Sequence, residues 1–188
     1  MSPPAPQALW DQSLFGGRHY FLKKWIQPGK LLLCLPNLSP MISNYLKHYK
    51  MLDYLATIAR GQKMGVIAGI YNLHTIFDER YYDNLPGGLL EAFGIGFGHN
   101  VKMYVYPALN VDTGELYTLD ELTIPNHLRG LVQFLKDNNK LAPILDFDMD
   151  ALKILSDDVL SKIRSGINSW EDDVPENVVK AIKHYELF

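Results

Sequence analysis

One stretch, residues 31–46, reads LLLCLPNLSPMISNYL and constrains the fold more than any other. Leu31 to Leu35 is an apolar run without a polar break, the pattern of a strand buried on both faces. Pro36, Asn37 and Ser39 end that run. Ser39 is a good helix N-cap, and Pro40 suits the first helical position, where its missing N–H costs nothing. Met41, Tyr45, Leu46, Tyr49 and Leu52 continue at helical spacing, so the helix is expected to run from Ser39 to about Ala59, with Gly61 as its stop. Strand, tight turn and helix follow one another, and the free N–H groups of the helix face the end of the strand. In an open α/β sheet such a turn is the default place for a phosphate.

Further elements alternate along the chain. Met64 to Ile70 is a second buried strand, and Val101 to Tyr106 alternates as a third, closed by Pro107. Residues 71–85 are aromatic and polar, with no element assigned; Pro86 to Gly88 is a loop, and Leu89 to Phe93 a helical turn or more. Gly94, Gly96 and Gly98 read as a flexible loop. They are not the dinucleotide fingerprint, because they precede a strand where the fingerprint follows one. Asp112 to Gly114 is a turn. Pro125 opens a helix with Leu128, Leu131, Val132 and Leu135 on one face, and Leu141 to Leu145 is a fourth strand. Ser156 opens a helix with acids in its first turn, Lys162 and Arg164 near its end and Gly166 as its stop. Val174-Pro175 starts the last helix, which ends at Leu187-Phe188. This order predicts an α/β domain, Rossmann-like, three-layered and built on a mostly parallel sheet. The expected organisation is an extended, aromatic arm over residues 1–27 and a single domain over residues 28–188.

Composition narrows the class. With 188 residues, 47% of them hydrophobic and 21% charged, the chain suits one globular domain. No apolar run reaches the roughly 20 residues of a membrane span, and no signal peptide is visible. The single cysteine, Cys34, excludes an internal disulfide or a cysteine-based zinc cage and reads as a small core residue. Residues 1–80 carry nine Lys/Arg against four Asp/Glu, whereas residues 81–188 carry nine against seventeen. That asymmetry reads either as two differently solvated faces or as faces that meet different partners. The basic residues are scattered and no nucleic-acid module is present, so nucleic acid is not an expected partner. Trp10, Phe15, Tyr20, Phe21 and Trp25 make a leading segment that must dock on its own core or on a neighbour.

The last third resembles the C-terminal segment of the nicotinamide/nicotinate mononucleotide adenylyltransferases. That family ends with a Ser-Ser-Thr turn, a short helix carrying an arginine, a glycine, then Val-Pro and a closing helix. Leu155-Ser156-Asp157, Gly166, Val174-Pro175 and Leu187-Phe188 fall in that order, with one extra residue between Gly166 and Pro175. The opening stretch can be laid on the family's first motif: Pro36 falls where a glycine belongs, Leu38 on the phenylalanine and Pro40 on the proline. The resemblance covers about a third of the chain. It implies a nucleotidyltransferase-like α/β fold and, were the site intact, ATP and Mg²⁺ bound around Asn37, Ser39, Tyr45 and Ser156.

The departures from the family pattern decide the expected function. Such catalysis is positioning and charge stabilisation in a dry pocket. Pro36 has a ring and no N–H, so it neither admits phosphate closely nor donates to it. The histidine pair falls on Ile42 and Tyr45, and the C-terminal arginine on Leu160. Asp157 and Asp158 add charge of the wrong sign beside a triphosphate. The resemblance thus implies a dismantled site: no catalytic residue, no cofactor, no metal. The expected role is a structural or accessory subunit of a larger complex, met by other protein subunits through the arm and the aromatic segment. Its expected location is intracellular, with a mitochondrial complex as one setting. The alternative is a divergent Mg²⁺-dependent mononucleotide adenylyltransferase of NAD biosynthesis, with Tyr45, Lys47 and Lys50 replacing the usual charges. A module that binds nucleotide without turnover is a third reading.

Other clusters are weaker. His74 and Asp78 stand four apart, and His99 could join them, but an isolated pair of this kind is usually a surface pair. Asp146, Asp148 and Asp150 alternate in DFDMD; without the glycine and final glutamate of a calcium loop they read as a solvated acidic loop before they read as a Mg²⁺ or Ca²⁺ site. Tyr81 and Tyr82 suit a wet interface or a core edge.

Overall fold

Three parallel strands make the sheet, and the two longest are neighbours. Strand β1 (Met64–Gly69) runs parallel to β2 (Val101–Tyr106), Met64 opposite Val101 and Gly69 opposite Tyr106. The computed structural model describes Ser43, Tyr45 and residues 47–98, 100–110 and 112–185. The expected strand at Leu31–Leu35 with Cys34, the turn residues Asn37 and Ser39, the arm of residues 1–27 and the last turn of the closing helix lie outside these residues. The described residues belong to two compact units, one spanning Ser43–Asp158 and one whose described part begins at Val159.

In the first unit, α1 (His48–Ala59) precedes β1. Helix α2 (Ile70–Ile76), a 3₁₀ turn (Glu79–Tyr82) and α3 (Gly88–Gly98) then form the crossover to β2. A short antiparallel ladder of β3 (Ala108–Leu109) and β4 (Leu116–Tyr117) follows. A 3₁₀ turn (Asn126–Leu128) leads into α4 (Arg129–Asp137), which returns the chain to β5 (Leu141–Pro143), parallel to β2. The sheet order is β1-β2-β5, so the molecule is mixed α/β with a three-stranded parallel sheet. Among the described residues no helix is long and apolar enough to cross a membrane.

One face of the sheet is buried. Ala68 on β1, Met103 and Val105 on β2 and Leu141 on β5 pack in one cluster with Ile70, Leu73 and Ile76 of α2, Phe93 of α3 and Leu135 of α4. An aromatic chain runs through it: Phe77 lies 5.1 Å from Phe93, which lies 5.5 Å from Phe97, ring centre to ring centre. Tyr82 is buried and its hydroxyl donates to the Ile76 carbonyl at 2.7 Å, which satisfies its only polar atom inside the core. The neighbouring tyrosine, Tyr81, is half-buried, so the pair divides between core and core edge.

Three expectations need correction. The helix expected from Ser39 starts at His48, because Ser43 and Tyr45 are not helical. The Tyr45 N–H donates to the Ser43 hydroxyl oxygen at 3.0 Å, a local bond that competes with helix, and Lys47 is extended. Ile70, expected as the end of a strand, opens α2; the break comes at Gly69 within an unbroken apolar run, where periodicity carries no signal. The third concerns Gly94, Gly96 and Gly98, which lie in α3, not in a loop. Gly87 N–H donates to the Glu91 carboxylate at 2.7 Å, which ties down the start of that helix. Gly96 faces α1: a Cβ there would stand 3.4 Å from Leu52 Cδ1 and 3.8 Å from Tyr49 Cα. The helices approach closely because position 96 has no side chain, and burial overrides the poor helix propensity of glycine.

The described part of the second unit is short. Helix α5 (Ser156–Arg164) reaches into it and closes as expected at Gly166, whose φ is +69°. Gly166 N–H donates to Ile163 O at 3.1 Å and Ile167 N–H to Lys162 O at 3.0 Å, the paired bonds of a Schellman cap. A 3₁₀ turn (Asn168–Asp173) buries Trp170 against Val179 and Ile182 of α6 (Glu176–Tyr185). Val159 and Ile163 of α5 complete that cluster. Lys162 pairs with Asp173 at 2.6 Å and Lys183 with Glu171 at 2.7 Å around its rim.

Helical glycines make a direct test. A Cβ at Gly94 meets nothing within 4 Å. Gly94→Ala should therefore raise stability by about 0.5–1 kcal/mol, read as a later urea midpoint. Gly96→Leu should lower it by about 1–3 kcal/mol through overpacking against Leu52. A flexible loop would show neither effect.

Candidate functional site

Of the residues that the adenylyltransferase resemblance singles out, Asn37 and Ser39 lie outside the described residues. Tyr45 is exposed, its ring 5.6 Å from that of Tyr54. Ser156 opens α5 and is exposed, with Asp157 and Asp158 beside it in the first turn. No hydrogen bond or ring contact joins Tyr45 to Ser156. The carboxylates of Asp157 and Asp158 complement the positive end of α5 themselves and repel a second anion there. Leu160, where the resemblance places an arginine, is half-buried on the same helix.

Of the two lysines that the alternative puts in place of the lost charges, Lys47 has another task. Lys47 donates to the Tyr81 carbonyl and, at 2.6 Å, to Asn84 Oδ1, and its ammonium sits 5.0 Å above the Tyr81 ring. It therefore pins the start of α1 to the 3₁₀ turn. Lys50 is exposed on α1. The nearest imidazole after Tyr45 in the chain is His48, the first residue of α1. Its Nδ1 is buried without a hydrogen-bond partner, and its ring lies 6.2 Å from that of Tyr81. Burial lowers its pKa from 6.5, so it is held neutral and supplies no positive charge.

The candidate site that the fold does build is a cleft of about 580 Å³ between the end of α2 and the segment before α4. Phe77 and Ile124, both buried, form its apolar floor. His74, Asp78, Glu79, Arg80 and Thr123 stand around it. His74 and Asp78, suspected as a couple, both reach the cleft but are engaged elsewhere. His74 Nε2 lies 3.0 Å from the Tyr117 hydroxyl, and the two rings are nearly parallel. Tyr71 completes this aromatic group, 5.6 Å from Tyr117, and its hydroxyl donates to Leu109 O at 3.2 Å. These contacts fix the β3–β4 ladder against α2, just past the carboxyl end of β1. His99 lies outside the described residues.

Asp78 and Arg80, both on the rim of the cleft, are matched to each other. Arg80 donates through Nε and Nη2 to the two oxygens of Asp78, at 3.0 and 2.8 Å. This guanidinium holds the Asp78 carboxyl below its ordinary range, and the carboxylate raises Arg80 in return. His127 Nε2 lies 2.8 Å from Glu79 Oε2. Imidazoles, carboxylates and hydroxyls are thus present for hydrogen bonding, but the one guanidinium on the rim is already spanned by a carboxylate. A phosphate would have to displace Asp78 to use it, which is the opposite of preorganised charge stabilisation. Glu79, Arg80, Thr123 and His127 escaped the sequence reading because two stretches more than forty residues apart meet here. The one local signal was Arg80, two residues after Asp78.

The acidic run after β5 does not gather a metal site. Asp148 Oδ1 accepts the Asp150 N–H at 2.8 Å, and Asp150 pairs with Lys153 at 2.6 Å. Among the described residues no three metal-ligating side chains converge.

Stability should depend on His48 with a definite sign. The folded state lowers its pKa below the unfolded value, so protons favour the unfolded chain. Its contribution is present above pH 6.5 and is lost as pH falls below that value. In urea unfolding, His48→Gln should flatten the loss of stability between about pH 7 and pH 5 relative to wild type. An unchanged slope would show that the ring is not held neutral by burial.

Comparison of the chain with protein-family models, with curated proteins and with solved structures finds no match.

Proposed function

We propose that this chain is a non-catalytic, nucleotidyltransferase-like domain that serves as a structural or accessory subunit of a larger assembly. Its architecture on this reading is the Rossmann-like, three-layer type. The parallel strands, joined by the helical crossovers at 70–98 and 126–137, support it. The observation that carries the functional reading is the outward face of the sheet. Strands of a parallel sheet are ordinarily covered on both faces. Here Ile67 on β1 is 71% exposed, and its register partner on β2, Tyr104, is 37% exposed. Tyr104 leans across Gly65, where a Cβ would meet its ring at 3.4 Å, and Lys102 sits 5.0 Å over the same ring. An apolar surface of this kind is what a subunit buries against a neighbour. The setting that this reading proposes is intracellular, with a mitochondrial complex as the first to examine.

The exposed Tyr45, the pairing of Arg80 with Asp78 in the cleft and the carboxylates at the start of α5 favour this reading over a Mg²⁺-dependent adenylyltransferase. Calorimetric titration of ATP with Mg²⁺ into the full chain, with and without nicotinamide mononucleotide, tests the choice. The expected result is no heat of binding up to millimolar nucleotide. Micromolar binding accompanied by dinucleotide product would overturn the proposal.

A further inference from the structure

Residues 145–155, which follow β5, carry further exposed apolar side chains. Ile144 N–H still donates to Val105 O at 2.9 Å, which ends the strand contact. Beyond it Phe147 turns edge-on to Tyr106, 6.3 Å between ring centres, and Leu152 is buried. These two side chains hold the segment in place. Around them Leu145, Met149, Ile154 and Leu155 are exposed, Leu145 at 83%. These apolar residues alternate with exposed carboxylates: Asp146 follows Leu145, and Asp148 and Asp150 flank Met149. Across residues 145–158 there are five carboxylates and one cation, Lys153, and Asp150 already pairs with it. The surface therefore asks for an occupant that is both apolar and basic.

A stretch of that composition precedes the first unit. Residues 18–30 read RHYFLKKWIQPGK, with Arg18, Lys23, Lys24 and Lys30 and no acid. Tyr20, Phe21, Leu22, Trp25 and Ile26 interleave with those cations. Basic and aromatic residues at this density complement an apolar strip with interspersed carboxylates in both sign and character. We propose that the 145–155 strip is the docking surface for residues 18–30 of a second copy of this chain. The inference rests on the accessory-subunit reading and names one partner within it. The contact joins unlike surfaces: one copy offers its strip and another its basic aromatic segment. The apolar residues supply the attraction at contact, and the opposite charges supply register and encounter.

Sedimentation velocity of the full chain over a range of concentrations tests this. The expected result is a mass that rises with concentration and falls back as salt is raised, because the charges are exposed and screened. Two variants then locate the contact. Leu145→Lys with Asp146→Lys alters the strip, and Lys23→Glu with Lys24→Glu alters the segment. Each alone should remain monomeric with the wild-type melting temperature. An equimolar mixture should form a one-to-one complex and nothing larger, because only one strip and one segment remain intact. Met149→Lys serves as a second strip variant, should the first lower the melting temperature. A wild-type monomer at all concentrations overturns the proposal, and so does association that persists in either variant or a mixture that stays apart. None of those failures touches the accessory-subunit reading, which falls on micromolar nucleotide binding with dinucleotide product instead.

Discussion

The parallel pairing of β1 with β2 is the constraint on which the first unit depends. Two parallel neighbours cannot be joined by a tight turn, so the thirty or so residues between them must cross over the sheet. That requirement makes α2, the 3₁₀ turn and α3, and it brings Leu73, Ile76, Phe77 and Phe93 over Ala68, Met103 and Val105. The second crossover repeats the solution between β2 and β5, with Leu128 and Leu135 buried by the turn and helix that return the chain. The cleft is a by-product of both crossovers. Its α2 wall comes from the first and its Thr123–Pro125 wall from the second.

How much of this is legible in the sequence depends on whether the signal is local. Strand β2 shows in VKMYVY because inward and outward residues alternate, and the structure buries Val101, Met103 and Val105. The apolar face of Leu128, Leu131, Val132 and Leu135 shows at helical spacing, and Leu128 and Leu135 are buried. The stop of α5 shows because Gly166 is needed in the left-handed region. By contrast, Gly96 reads as a loop residue when its neighbours along the chain are all that is considered. Its reason is Leu52, forty-four positions earlier. The start of α1 misleads in the same way. The periodicity through Tyr45 favours helix, but the Ser43 hydroxyl and the pull of Tyr81 and Asn84 on Lys47 decide the backbone there.

The candidate site was less legible than the fold. His74 and Asp78 were visible as a pair, but their partners, Tyr117 for one and Arg80 for the other, turn a suspected couple into two separate structural contacts. Tyr45 and Ser156 were joined only by resemblance, and the described residues give them no common contact. What the sequence did carry was the imbalance of charge between its two parts and the alternation of acid and apolar residues after β5. Both are properties of composition, so both can be read before folding is known.

The matched pair on the rim of the cleft also bears on how molecules arrive. Asp78 and Arg80 are two residues apart and joined by two hydrogen bonds, so beyond about one Debye length, roughly 10 Å, their fields cancel to that of a small dipole. That pair therefore draws no ions from a distance, and Glu79 is the carboxylate of the cleft that no guanidinium or ammonium offsets. The strip after β5 is the reverse case: its uncompensated carboxylates cast a field that gathers cationic surfaces before contact. Over the first unit, the strip, with five carboxylates against one lysine across residues 145–158, thus attracts cations from a distance more strongly than the cleft does, whatever the affinity of either once reached.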